Sequence, residues 1–331
     1  MNPIQKHPLL SLFGIMMLTV GCFALSLKAG SIAIPWSEIS HTLVGKGDLF
    51  TENLILGLRL PRIANGFATG ASLALSGALM QVLLRNPLAD PYVLGVSGGA
   101  AAVALCCIMV GIGGLWLNLG AFAGAMFSMV LVFFLSGSSL SETSSTPTRM
   151  LLTGVVVAAG WGALISFLLA VSPEDHLRGM VFWLMGDLGH GRSASPAFIL
   201  LALGLGMILP LGRSLDLLAR DTNQATALGV AVSRVRIQVF LAASLLTAGA
   251  VMTAGTVGFV GLVTPHMLRL IGLHQHRFLL PASVLLGGSL VMVGDTLART
   301  IIAPQQLPVG VITAMVGVPL FLILLRRGRI F

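Results

Sequence analysis

Charge is what this sequence has least of. Only 9% of its 331 residues are Asp, Glu, Lys or Arg, against 56% hydrophobic. A water-soluble domain of that length carries far more charge, so a soluble globular fold is excluded. Cysteine is scarce too. Of the three, Cys106 and Cys107 are adjacent inside an apolar run, a placement that makes neither a disulfide framework nor a metal set. A nucleotide-binding phosphate loop is missing: the Gly45-Lys46 pair has Ser40 where such a loop needs a glycine, and Gly47 where it needs Ser or Thr. Residues 45–48 do spell the GxGD of intramembrane aspartyl proteases, yet Asp48 sits in a polar stretch where a solvated turn is expected. His266 has no Cys, Asp or Glu at ligand spacing, which argues against a metal site. No clustered basic face offers itself to nucleic acid. The expectation is a chain with no catalytic residue, no metal and no cofactor of its own.

What the sequence has is apolar length. A bilayer-spanning helix needs about 17 to 25 apolar residues, and candidate runs lie at 9–29, 56–84, 94–111, 114–136, 149–171, 194–212, 236–256, 258–272, 280–302 and 309–326. The expected fold is an all-α polytopic membrane protein of about ten transmembrane helices forming a single domain, residues 1–331. The 258–272 run is too short to cross alone, and its boundary with 236–256 rests on Gly255 and Gly258. Residues 19–22 spell TVGC, similar to a lipoprotein cleavage site, but the first run is long enough to span and Lys28 follows it, so a first transmembrane helix is expected. Arg326, Arg327 and Arg329 hold the C-terminus inside by the positive-inside rule. Ten spans put the N-terminus inside as well, with twelve Lys and Arg on the cytoplasmic side against seven outside.

Ionisable groups within apolar runs are functional candidates, since charge in lipid costs several kcal/mol. Asp295 and Arg299 are four apart, share a helical face and can neutralise each other. Gly66, Gly70, Ala74 and Ala78 recur at helix-packing spacing, as do Ala250, Ala254 and Gly258, predicting close backbone approach. Between two apolar runs, residues 85–100 read RNPLADPYVLGVSGGA. Two prolines four apart cannot continue a helix, so a shaped loop is expected there.

Residues 58–100 resemble the FecCD-type permease family, the membrane subunits of ABC importers for iron-siderophore, haem and vitamin B12. GFVGLVTPHMLRLIG at 258–272, FWLMGDL at 182–188, and DTLART with LPVGVITAMVGVPLFLILLRR at 295–327 resemble further motifs of that family, in the family's order. The resemblance implies a type II ABC importer permease architecture in a bacterial inner (plasma) membrane. It implies a homodimer around one path, two ATPase subunits that hold ATP and Mg, and a periplasmic substrate-binding protein. By the same resemblance Asn86, Leu88, Thr146, Pro147 and Thr148 form a cytoplasmic gate, and Arg59, Arg62 and Arg299 receive acidic side chains of the binding protein. Residues 213–230 form the ATPase-coupling segment, with Arg220, Asp221, Ala225, Leu228 and Gly229 as its contact residues. Where the family has a Gly and two acids, this chain reads Arg220-Asp221-Thr222-Asn223, a departure that bears on the ATPase contact. The expected cargo is a bulky metal chelate, with FWLMGDL tilting the choice towards cobalamin or a siderophore. The alternative is an ion-coupled secondary transporter, and a membrane enzyme comes third.

Overall fold

The computed structural model describes residues 8–30, 32–137, 146–189 and 194–326. Among them the secondary structure is helical, with no strand. In order the helices are α1 (Pro8–Lys28), α2 (Trp36–Leu43), α3 (Leu49–Glu52), α4 (Leu60–Leu83), α5 (Val96–Met109), α6 (Leu115–Leu135), α7 (Thr146–Val171), α8 (Glu174–Leu184), α9 (Ser195–Ile208), α10 (Gly212–Arg220), α11 (Thr222–Ala227), α12 (Val232–Ala254), α13 (Val260–Leu270), α14 (His276–Thr300) and α15 (Val309–Arg326). Each of the ten apolar runs is helical, and among the described residues seven stretches are long and apolar enough to cross a membrane. The chain is a multi-pass membrane protein.

Helix α4 is the central post, because its small side chains let neighbours approach at backbone distance. A Cβ on Gly70 would lie 2.1 Å from the Gly287 carbonyl oxygen of α14, and one on Gly77 would lie 2.0 Å from that of Gly261 in α13. No other residue fits either crossing. Ala74 also meets Gly287, so the stripe read from the sequence is the α4–α14 seam. Hydroxyls add polar links inside the bundle, where no water competes: Ser76 Oγ lies 2.7 Å from Thr247 Oγ1 of α12, and Thr296 of α14 donates to Ser26 of α1 at 2.8 Å. The 11-residue α13 rises only about 16 Å at 1.5 Å per residue. It is shielded by α4, α14 and α15.

Three expectations are adjusted. The α12–α13 break is set by Gly255 (φ 65°) and Phe259 (φ 68°); the side of Gly258 is open instead of packed. The second span starts earlier than residue 56, continuing from α3 through a π-helical turn at Asn53–Arg59. Helices α2 and α8 lie in segments that the apolar periodicity left as loop, because both are short and mixed in polarity.

Candidate functional site

Helices α4 and α14 run antiparallel, and each end of the pair carries a cluster of charge. At one end, α4 closes with a Schellman motif: Asn86 N–H donates to the Gln81 carbonyl at 3.2 Å and Arg85 N–H to that of Val82 at 3.3 Å. The residue after the cap is in the left-handed region, where glycine is preferred. Here it is Arg85, with φ 49°, a conformation that costs a non-glycine residue of order 1–3 kcal/mol. The chain then turns through Asn86, whose Oδ1 accepts from Leu88 N–H at 2.9 Å, a local turn that needs no outside support. Arg85 and Leu88 are exposed and Asn86 is half-buried.

The second half of the loop is held differently. Asp90 caps a short 3₁₀ turn at Pro91–Leu94 by accepting from Tyr92 N–H at 2.8 Å. The Tyr92 hydroxyl accepts from Val257 N–H at 3.1 Å, satisfying an amide freed by the α12–α13 break. The Gly95 carbonyl accepts from Ser128 Oγ at 2.8 Å, and that hydroxyl in turn accepts from Trp161 Nε1 at 2.9 Å. Irregular backbone at membrane depth is stable only when protein satisfies its polar groups in this way. Residues 90–95 are thus locked by α6, α7 and the α12–α13 break, while residues 85–88 depend on their own turn.

Beside this loop lies the segment predicted at 213–230, folded as α10 and α11. Asp216 of α10 caps α14 from outside: its Oδ1 accepts from His276 N–H at 2.9 Å and lies 2.6 Å from His276 Nδ1. Asp221 caps α11, accepting from Gln224 N–H at 2.9 Å, and its other oxygen is 4.0 Å from Arg85 Nη2. The buried Arg236 of α12 donates to Thr222 Oγ1 at 3.2 Å. Helix α11 ends in the Schellman motif that α4 imitates, with Gly229 at φ 81°. Ala225 is buried inside the turn, Arg220 and Gly229 are exposed, and Leu228 stands 67% exposed. A hollow of about 610 Å³ adjoins it, lined by Thr226, Val230, Ser233 and Arg234.

At the other end of α4 and α14, Arg62 grips Asp295. Its Nη2 donates to Oδ1 at 2.8 Å, its Nε lies 3.0 Å from both carboxylate oxygens, and its Nη1 donates to Gln306 Oε1 at 2.8 Å. Arg299 Nε reaches the same carboxylate at 3.0 Å. The i,i+4 pair read from the sequence is therefore one arm of a triad whose other arm is 233 residues away. Arg59 lies deeper than expected. Expected as an outward base, it is only 4% exposed, with its guanidinium donating to the carbonyls of Leu27, Lys28 and Ile32; it fastens the turn before α4 to the end of α1. Arg299 is 6% exposed, so of the three arginines Arg62 is the one that reaches the rim. The open hollow there, about 560 Å³, is lined by Ile32, Leu58, Arg59, Arg62, Arg299 and Gln306.

Of the remaining candidates, Thr146 and Pro147 open α7, their side chains lying outside the described residues, and Thr148 is exposed. Arg269 donates to Gln81 Oε1, tying α13 to the last turn of α4. No group of three metal-ligating side chains occurs among the described residues. Sequence reasoning missed Asp216, His276 and Tyr92, whose partners are distant in the chain.

The comparisons with known proteins agree among themselves. The sequence model of the FecCD transport family matches residues 17–327. The Fe(3+) dicitrate transport permease FecD of Escherichia coli is 39% identical over 93% of this chain and 96% of its own length. The cobalamin import permease BtuC of Halobacterium salinarum is 40% identical over 90% of this chain and 81% of its own. Among solved structures, a metal-chelate type ABC transporter in an inward-facing conformation superposes with a TM-score of 0.85 at 31% identity, covering 96% of this chain and 98% of that one.

Proposed function

The chain belongs to the FecCD transport family of ABC importer permeases, and from that premise we propose that two copies of it form the path by which a bulky metal chelate crosses a bacterial inner membrane. The cargo is an iron-siderophore, haem or cobalamin; relatives are named for Fe(3+) dicitrate, hemin and cobalamin. Both termini face the cytoplasm. Residues 85–88, with Thr146, Pro147 and Thr148, border the cytoplasmic exit; α10 and α11 receive the ATPase subunits, which hold ATP and Mg; and the Arg62 rim receives acidic side chains of a periplasmic binding protein. Arg59 and Arg299 shape that rim from beneath.

The observation that carries this reading is the meeting of the loop and the α10–α11 segment at one end of the chain. Leu228, an exposed leucine on a short polar segment, suits a protein partner. Movement of that segment has a short route to the loop. An ion-coupled carrier is disfavoured, since the buried Asp295 carboxylate already has two guanidinium partners. The test is reconstitution in liposomes with the ATPase and binding protein. Import of chelate that requires ATP in the lumen is expected. Accumulation by the purified chain alone, driven by a proton or sodium gradient, would overturn the proposal.

A further inference from the structure

The two carboxylates of the α10–α11 segment grip unlike partners. Asp216 holds the buried start of α14 by two contacts, at 2.6 and 2.9 Å. Asp221 faces Arg85 at 4.0 Å, both side chains more than a third exposed. One link is short and doubled, the other long and open. Arg85 itself is out of place: it occupies a left-handed position that glycine fills at the matching point of α11, and nothing in the backbone of α4 asks for an arginine there. A strained residue persists where its side chain has a use.

We propose that Asp221 and Arg85 are the positioning pair through which the α10–α11 segment moves the exit loop, with Asp216–His276 as the fixed end about which the segment turns. The inference rests on the importer reading and assigns the departure at 220–223 an inward role. Asp221 faces the chain's own loop, leaving the ATPase contact to Leu228 and the exposed turn beside it. The pair works because it is weak. An exposed ion pair contributes little to the resting state, so it can be made and broken within a transport cycle, whereas the Asp216 clasp cannot. The locked half of the loop, residues 90–95, then serves as the hinge against which residues 85–88 swing.

The experiment uses the reconstituted complex with ATPase and binding protein, and reads chelate imported per ATP hydrolysed. Asp221→Asn keeps the helix cap, since asparagine caps as well as aspartate, and removes the charge. Arg85→Gly removes the side chain and relieves the backbone. Each is expected to lower import per ATP about two- to fivefold, the range an exposed pair supplies, while the Arg85→Gly protein melts no lower than the parent. The double variant is expected to be no worse than either single. Unchanged import per ATP in Asp221→Asn, or losses that multiply in the double variant, would overturn the link. Failure of the parent complex to import with ATP would instead overturn the importer reading and this inference together.

Discussion

Two arginine–aspartate pairs lie at the two ends of α4, one tying it to α14 and the other facing the cap of α11, and they differ in everything except chemistry. Arg62–Asp295 is bidentate at 2.8 to 3.0 Å, with the carboxylate side chain 3% exposed; Arg85–Asp221 is a single approach of 4.0 Å with side chains 39% and 37% exposed. A buried pair is costly to break because the survivor is left uncompensated in a poor solvent for charge. An exposed pair is nearly neutral. The first end is therefore a clamp and the second a contact that can open. Between them α4 packs backbone to backbone, at Gly70 against α14 and at Gly77 against α13.

The comparison breaks most severely at the clamp. Asp295→Ala leaves Arg62 and Arg299 facing each other without their carboxylate and is expected to cost about 3–5 kcal/mol, read as a lowered unfolding midpoint in detergent. A loss under about 1 kcal/mol would make the two ends alike. Tyr92→Phe sharpens the contrast within the loop. It strands the Val257 amide and is expected to cost about 1–3 kcal/mol, with faster hydrogen exchange at residues 255–259; unchanged exchange there would show that residues 90–95 are not held by the phenol. Arg59→Ala tests the buried arginine. Since its guanidinium holds the last two carbonyls of α1 and that of Ile32, the expected loss is about 1–3 kcal/mol with a loosened end of α1, and loss of binding-protein affinity without any change in stability would favour a docking role. Smallest is Asp221→Asn, expected to shift stability by no more than about 1 kcal/mol even though import per ATP falls.

Much of this was legible in the chain because it is local. The apolar runs, the paired prolines at 87 and 91, the small-residue stripe on α4 and the four-residue spacing of Asp295 and Arg299 each declare themselves within a few residues. What escaped is long-range pairing. Nothing near Arg62 announces Asp295, nor anything near Asp216 His276, and an arginine beside Pro61 reads as an interfacial base whether it points to solvent, as Arg62 partly does, or inward, as Arg59 does. Gly255 and Gly258 were the expected boundary, and Gly255 takes part in it, yet the second left-handed residue is Phe259, packing against Gly317 of α15, a neighbour that no local pattern reveals. The coupling segment shows both sides of this: its Leu-Gly-Val ending follows from the glycine-capped turn, while the inward turn of Asp221 follows only from the position of α4.

The claim that one end opens and the other does not is tested most directly by hydrogen exchange on the complex with its ATPase, with and without ATP and in the absence of binding protein. Peptides covering residues 85–89 are expected to change their exchange with nucleotide, while those covering 60–65 and 293–299 stay equally protected in both states. Nucleotide-dependent exposure at 60–65, or identical exchange at 85–89 in both states, would contradict it.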